Sequence, residues 1–156
     1  MELSRLKVED AEALAQFYDL QIEYEESLPA DLRHNSKAPS SAHVYNEPNA
    51  AFLALAERVS AGCVAVWNLD RSTDIIQRLY VRPAYRGRGI ARALIEAALA
   101  FAREHRRGRV VLDTDRARLS AAYQLYRSIG FTECEPYGPV DYATPTFMQL
   151  YLSRKQ

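Results

Sequence analysis

The stretch VRPAYRGRGIARALIEAA, Val81 to Ala98, places arginines and glycines at spacings that suit an anion. Gly87 and Gly89 let the backbone approach a ligand closely, because no Cβ stands in the way. Arg86, Arg88 and Arg92 offer guanidinium donors for phosphate oxygens. The alanine-rich run that follows reads as a helix. Its first N–H groups have no internal partner and sit at the positive end of the macrodipole. Glycine turn, guanidiniums and helix start together make a phosphate cradle. A dinucleotide fingerprint, Gly-x-Gly-x-x-Gly, fails because its third glycine falls on Arg92. No Gly-Lys-Ser/Thr occurs, so a P-loop is excluded too.

LYVRPAYRGRGIARALIEAALAFARE resembles the acyl-CoA-binding motif of the GNAT superfamily of N-acyltransferases, whose Arg/Gln-x-x-Gly-x-Gly/Ala core is matched by Arg86, Gly89 and Ala91. Further on, AAYQLYRSIGF resembles the second family motif, with Ala122, Leu125, Tyr126, Gly130 and Phe131 in place. The resemblance runs from about Gly62 to the C-terminus. It implies acetyl-CoA as cosubstrate and a primary amine of a small molecule as acceptor, acetylated by direct attack on the thioester. Neither Cys63 nor Cys134 lies in a motif, so no covalent enzyme intermediate is expected. The resemblance places pyrophosphate on the turn of Arg86, Gly87, Arg88, Gly89, Ile90 and Ala91, and the pantetheine arm beside Leu79, Tyr80 and Val81. It makes the Val81 N–H the oxyanion donor to the tetrahedral intermediate. Tyr126 becomes the acid that protonates the departing thiol.

Two positions depart from the family pattern. Leu119 stands where many relatives carry a coenzyme-contacting asparagine; Ser120 beside it is expected to cap the helix or replace part of that contact. Ile75 stands where many relatives carry the glutamate that orders a water to deprotonate the amine. Strand alternation puts Ile75, Gln77, Leu79 and Val81 on one face and Asp74 on the other. Gln77 can position a water but is no base, so the amine is expected to enter as its free base. Glu23, Glu25 and Glu26, with Tyr45, are candidates for attracting and covering a cationic amine, or else form a solvated acidic face. The same glutamates and Asp74 are the candidates for a hidden base. Tyr137 and Tyr142, in PYGPVDYATPTFMQLYL, are candidate wall residues. Two other readings stay open: a non-catalytic acyl-CoA-binding regulatory domain, and an acetyltransferase for protein or peptide amines.

The elements that must position these residues follow from periodicity. Leu3–Val8 reads as a strand and Glu9–Glu26 as a helix, with Ala13, Phe17, Leu20 and Tyr24 at helical spacing. Ser27–Asn49 is a long connection with a helical turn at Ala30–His34. Phe52–Ala56 and Gly62–Leu69 form a hairpin around Arg58–Ala61, and Ile75–Val81 is the fourth strand. Gly89–Arg107 is a helix stopped by Gly108, with Arg103, Arg106 and Arg107 suiting its C-terminal dipole. Arg109–Thr114, Ser120–Ser128, Phe131–Cys134 and Phe147–Leu152 continue as strand, helix, strand, strand. The expected fold is mixed α/β: a mostly antiparallel sheet of six to seven strands with about four helices, the GNAT fold, in one domain over 1–156.

Composition bounds the rest. The chain has 156 residues, 48% apolar, with 20 basic and 20 acidic side chains. A balanced charge gives no global pull toward nucleic acid or anionic membrane, and neither is an expected partner. No apolar run reaches a membrane span of ~18 residues. MELSRLKVEDAEAL carries no apolar leader segment. Cys63 and Cys134 read as buried thiols of a reducing, cytoplasmic protein. Three scattered histidines predict no metal site. A second copy of the chain is a candidate partner, as a homodimer.

Overall fold

The computed structural model describes residues 1–33, 45–140, 142 and 144–153. Seven strands form one sheet: β1 (Glu2–Arg5), β2 (Ala50–Ala56), β3 (Val59–Asp70), β4 (Thr73–Val81), β5 (Arg109–Thr114), β6 (Thr132–Glu133) and β7 (Thr146–Tyr151). Their order is β1-β2-β3-β4-β5-β7-β6, antiparallel throughout except for β4 against β5. Three α-helices accompany it: α1 (Ala11–Ser27), α2 (Ile90–Glu104) and α3 (Ser120–Ile129). Among the described residues, short 3-10 turns lie at Ala30–Leu32 and Pro83–Tyr85. The sheet, its strand number and its mixed pairing agree with the sequence reading. His34, the end of the expected turn, lies outside the described residues.

The sheet buries both faces. One packs under α2 and α3 through Val64, Val66, Ile76, Leu94, Ile95 and Phe101. The apolar residues of α2 recur at helical spacing, so a single stripe meets the sheet. The other face packs under α1 through Phe17, Leu20, Leu53, Cys63 and Ala65. Asp10 caps α1, accepting the Ala13 N–H at 3.0 Å, so the helix begins two residues after the expected Glu9. Tyr45 belongs to this core too, edge-on to Phe17 at 4.9 Å, rather than covering an amine.

Other boundaries moved for local reasons. The first hairpin turns at Glu57 and Arg58, both left-handed at φ 53 and 67. Pairing therefore continues to Ala56–Val59, and β3 starts before Gly62. A two-residue turn of this kind normally announces itself with Asn-Gly or Asp-Gly, which this chain lacks. Helix α2 stops before Gly108. Arg106 adopts φ 58, and the Arg107 N–H reaches back to the Ala102 carbonyl at 3.0 Å. That is a Schellman ending built on arginine instead of glycine. Gly108 serves a different contact: its N–H bonds the Ser72 carbonyl at 2.8 Å, and a Cβ there would stand 2.8 Å from the Ser72 Oγ.

Arg107 turns away from the α2 dipole to a buried carboxylate. Its Nε lies 3.0 Å from Asp74 Oδ1, and Asp74 is 0% exposed. Asn68 donates to the same oxygen at 3.0 Å, while Oδ2 has no hydrogen-bond partner. A buried charge that loses its partner cannot recover water. Arg107→Leu is expected to cost about 3 kcal/mol, while the double replacement Asp74→Leu/Arg107→Leu costs less than that single one. Urea unfolding of both variants checks this; a double variant less stable than the single one contradicts it.

Candidate functional site

The site begins where β4 leaves β5. Only Thr73, Asp74 and Ile75 pair with β5, opposite Arg109, Val110 and Val111. Beyond Ile75 the strands diverge, while the other edge of β5 stays paired with β7. A cleft of about 1370 Å³ opens in the gap. It runs from the α2 start, along the free edge of β4, to the segment after α1 and the tail before β7.

A bulge in β4 decides which side chains meet it. Gln77 pairs with Ala65 and Tyr80 with Cys63, so three steps on β4 span two on β3. The extra residue is Arg78, left-handed at φ 57. Face parity therefore reverses across it. Ile75 and Gln77 lie on the α1 side, whereas Leu79 and Val81 lie on the α2/α3 side, where both pack. This corrects the expectation that all four share one face. Arg78 is steadied at its strained position by Gln21 Oε1 at 3.1 Å and Glu25 Oε1 at 3.5 Å.

The Val81 backbone is oriented by the same strand. The Arg82 N–H bonds the Ala61 carbonyl in β3 at 2.8 Å. Alternation turns the Val81 N–H the other way, onto the open edge. The Val81 carbonyl on that edge accepts from Arg86 Nε at 2.9 Å. Tyr80 sends its side chain toward the α1-side core, next to Tyr24 with ring centroids 6.1 Å apart, and carries the Arg86 guanidinium 5.9 Å from its ring centre.

Gly87 and Gly89 both sit at φ 79, and a Cβ on either would meet nothing within 4 Å. The backbone is thus left-handed for two residues around open space, and Gly89 is the N-cap of α2. The first helical hydrogen bond is Ala93 N–H to the Gly89 carbonyl, at 3.1 Å, so the N–H groups of Ile90, Ala91 and Arg92 lie ahead of the ladder. This cradle fits a phosphate-bearing chain running along β4. Every sequence-predicted coenzyme position lines the cleft except Arg88, whose guanidinium stacks 5.2 Å over the Tyr85 ring. Ile90 is buried, so only its backbone can serve a ligand. Arg92 lines the cleft but donates to Ser128 Oγ at 2.6 Å, tying α2 to α3.

Helix α3 carries Tyr126, buried against Phe131 at the cleft wall with ring centroids 5.8 Å apart. Burial first, then Tyr24 and Asp113, raise its phenol well above the ordinary tyrosine value. Ser120 is the first residue of α3 and does not cap it. Asp115 closes the turn that leads into α3: its Oδ1 accepts the N–H groups of Ala117 at 3.1 Å and Arg118 at 3.0 Å. Asp115 Oδ2 takes Arg118 Nε at 2.8 Å, and the Arg118 Nη1 continues to Asp31 at 2.7 Å, beyond α1.

None of the four expected base candidates is available. Glu23 is gripped by Arg82, with Nη2 at 2.7 Å, which holds its carboxyl below the usual range. Glu25 meets Arg78, Glu26 is exposed away from the cleft lining, and Asp74 pairs with Arg107 in the core. Among the described residues two acids do reach the cleft, Asp31, which Arg118 holds, and Asp113 at the end of β5; the sequence reading missed both. Tyr137 donates to Asp113 Oδ1 at 2.6 Å and Tyr142 to its Oδ2 at 2.7 Å. For Asp113 the signal was an aspartate alternating out of the apolar run RVVLDT. Cys63 is buried, its thiol pushed up to about 12 by burial; Cys134, expected inside, is half exposed. Among the described residues no cluster of three or more His, Cys, Asp or Glu could hold a metal, and no helix is long and apolar enough to cross a membrane.

Comparison with known proteins bears on this geometry. The sequence model of the acetyltransferase (GNAT) domain matches residues 47–133. The chain is 32% identical over 149 residues to the uncharacterized N-acetyltransferase YjgM of Escherichia coli strain K12, covering 90% of this chain and 84% of that one. It is 39% identical over 85 residues to human N-acetyltransferase 8B; that match covers 51% of this chain and only 37% of the longer relative. Among solved structures, an aminoglycoside 6'-acetyltransferase type Ii superposes with TM-score 0.78 at 16% identity, over 99% of this chain and 100% of the other. The putative acetyltransferase yncA of Salmonella typhimurium, solved with acetyl-CoA, gives 0.72 at 20% identity, over 100% and 96%. At those identities the likeness is one of fold.

The Asp115 turn is testable alone. Arg118 holds its carboxyl below the usual range, chiefly through the backbone N–H. A lowered carboxyl stabilises the fold above its unfolded value of ~3.9 and loses that contribution as pH falls through the folded one. Asp115→Ala should cost about 1 kcal/mol at pH 7. The gap from wild type should narrow below pH ~4, read by urea unfolding at both pH values. A gap independent of pH would remove the charge from this account.

Proposed function

The chain belongs to the GNAT acetyltransferases, and from that membership we propose that it moves an acetyl group from acetyl-CoA to the primary amine of a small molecule. It is an acetyl-CoA-dependent N-acyltransferase by family; the acceptor and the residue roles are the proposal. The observation that carries it is the continuous cleft, which joins a phosphate cradle at α2 to the unpaired edge of β4 and emerges beside Asp113 on the α1 side.

The coenzyme, when bound, supplies the acetyl group as an activated thioester. Gly87, Gly89 and the first N–H groups of α2 hold its phosphates. Arg86 leaves the Val81 carbonyl to reach them, freeing that edge of β4. Leu79 and Val81 present their backbone to the pantetheine amides, and the Val81 N–H polarises the thioester carbonyl. Tyr126 keeps a proton for the departing sulfur, because burial raises its phenol far above neutral pH. The amine arrives from the α1 side, past Ile75 and Gln77. Its ammonium form first gives up one proton to water; the nitrogen then forms the C–N bond as C–S breaks, and the second proton leaves to solvent.

Gly89→Asp puts a carboxylate where phosphate lies. CoA affinity should fall at least ~10-fold, or about 1.4 kcal/mol. Gly89→Asn shares the left-handed backbone cost without the charge and should lose less. Calorimetry with CoA measures both; unchanged affinity in a folded Gly89→Asp protein removes the cradle.

Tyr126→Phe keeps the ring and removes the proton donor. kcat should drop ~10²-fold or more with CoA affinity kept. Because burial raises the phenol, wild-type kcat/KM should rise with pH toward the acceptor's own pKa and show no descending limb below pH ~10. A fall starting near pH 8, or a variant with wild-type kcat, returns Tyr126 to packing alone.

A further inference from the structure

The α1-side mouth of the cleft is unlike the phosphate end. Ile75 and Trp67 are cross-strand partners on that face, and Leu69, 42% exposed, lines the cleft with them. Leu28 and Leu32, from the segment after α1, complete an apolar wall. Both are buried in the fold. Strand register sets Asp113 on the same face: Val111 is the parallel partner of Ile75, and Asp113 follows two residues on. The phenols of Tyr137 and Tyr142 hold both of its oxygens from the tail side.

Two carboxylates line the cleft, Asp31 and Asp113, among the described residues. Asp31 is gripped through both oxygens by Arg118 at 2.7 and 2.8 Å. Asp113 is held by uncharged hydroxyls. A carboxylate has about four lone-pair sites; the two phenols take one on each oxygen and leave room for N–H donors. Its negative charge is fixed in direction by those phenols and faces a chamber with a hydrocarbon wall at Trp67, Leu69 and Ile75; Gln77 and Arg78 also line it, the guanidinium of Arg78 being held by Gln21 and Glu25.

We infer that this chamber selects a primary amine carrying a ring-sized apolar body, with the ammonium on Asp113 and the body against Trp67, Leu69 and Ile75. The inference rests on the acetyl-transfer reading and names the acceptor class for it. Asp113 is a specificity-determining residue here. It grips the cation that enters, so that the free base forms already in position. Among the described residues a polycation finds one carboxylate that no guanidinium holds, and an apolar wall for its remaining charges. A peptide N-terminus with small polar residues gains nothing from the wall.

The test titrates the protein–CoA complex with 2-phenylethylamine, ethanolamine, spermidine, the tripeptide amide Ala-Ser-Gly-NH2 and the neutral 2-phenylethanol, and follows thiol release from acetyl-CoA with each amine. 2-Phenylethylamine should bind at least ~10-fold tighter than ethanolamine or spermidine. Asp113→Asn should weaken 2-phenylethylamine by a similar factor and leave 2-phenylethanol unchanged, which also shows that the variant is folded. Trp67→Ala should shrink the ratio of 2-phenylethylamine to ethanolamine. Equal affinities, tightest binding by spermidine or the peptide, or an Asp113→Asn effect of equal size on the neutral probe each overturn the inference. Selective binding of 2-phenylethylamine without thiol release upholds the chamber and removes the acetyl-transfer reading instead.

Discussion

Between Gln77 and Tyr80 the fourth strand carries one residue more than its neighbour, and Arg78 absorbs it in a left-handed conformation at φ 57. Side-chain parity reverses there, so one strand serves two faces of the sheet. Ile75 and Gln77 look toward α1, and Leu79 and Val81 toward α2 and α3. β4 also stops pairing with β5 after Ile75, which opens the sheet at its middle. A gap flanked by strands on both sides leaves backbone donors and acceptors unmatched along β4. An extended, amide-bearing ligand can complete that edge. Bulge and divergence together let a long ligand enter from one face while its reacting end is met from the other.

A left-handed arginine costs roughly 1–2 kcal/mol relative to an unstrained one. Its surroundings offset that cost: Gln21 and Glu25 take the Arg78 side chain, and the Arg78 carbonyl accepts the Cys63 thiol at 3.7 Å. Gln21 in turn donates to Cys63 Sγ at 3.1 Å. This small polar network lies within the α1-side core, so α1 is tied to the distortion it covers. Its C-terminal end carries Tyr24 to the cleft and Glu23 to Arg82. The helix thereby both braces the bulge and walls the proposed acceptor side.

The arginines explain how a chain of zero net charge can offer a phosphate site. Most of those near the cleft rest on something: Arg82 on Glu23, Arg86 on the Val81 carbonyl, Arg92 on Ser128, Arg118 on Asp31 and Asp115. Charge is matched locally, and the proposed cradle is made chiefly from backbone dipoles. Backbone N–H groups attract phosphate without adding a net charge that would draw nucleic acid. Arg86 is proposed as the exchangeable part; it bonds the carbonyl of the residue whose N–H is proposed to polarise the thioester.

Local signals in the chain determined the strands, the helices and the two motif segments. Each needs only neighbours within a turn or two: glycines at left-handed positions, apolar residues at 3.6-residue spacing, Gly130 at φ 119 closing α3. The turn at Gly87 and Gly89 and the position of Tyr126 on α3 could therefore be read from sequence. What tertiary structure decided were matters of register and of distant partners. The extra residue in β4 is visible only against β3, so Leu79 was read on the wrong side relative to Ile75. Asp74 reads as free along the strand, but Arg107, from beyond the end of α2, takes it into the core. Asp113 has no motif, and its surroundings come from β3, β4 and the tail, far apart in sequence. Hydrogen bonding and periodicity are written over a few residues; strand pairing joins segments tens of residues apart, and only the folded chain brings Asp113, Tyr137, Tyr142 and Trp67 around one chamber.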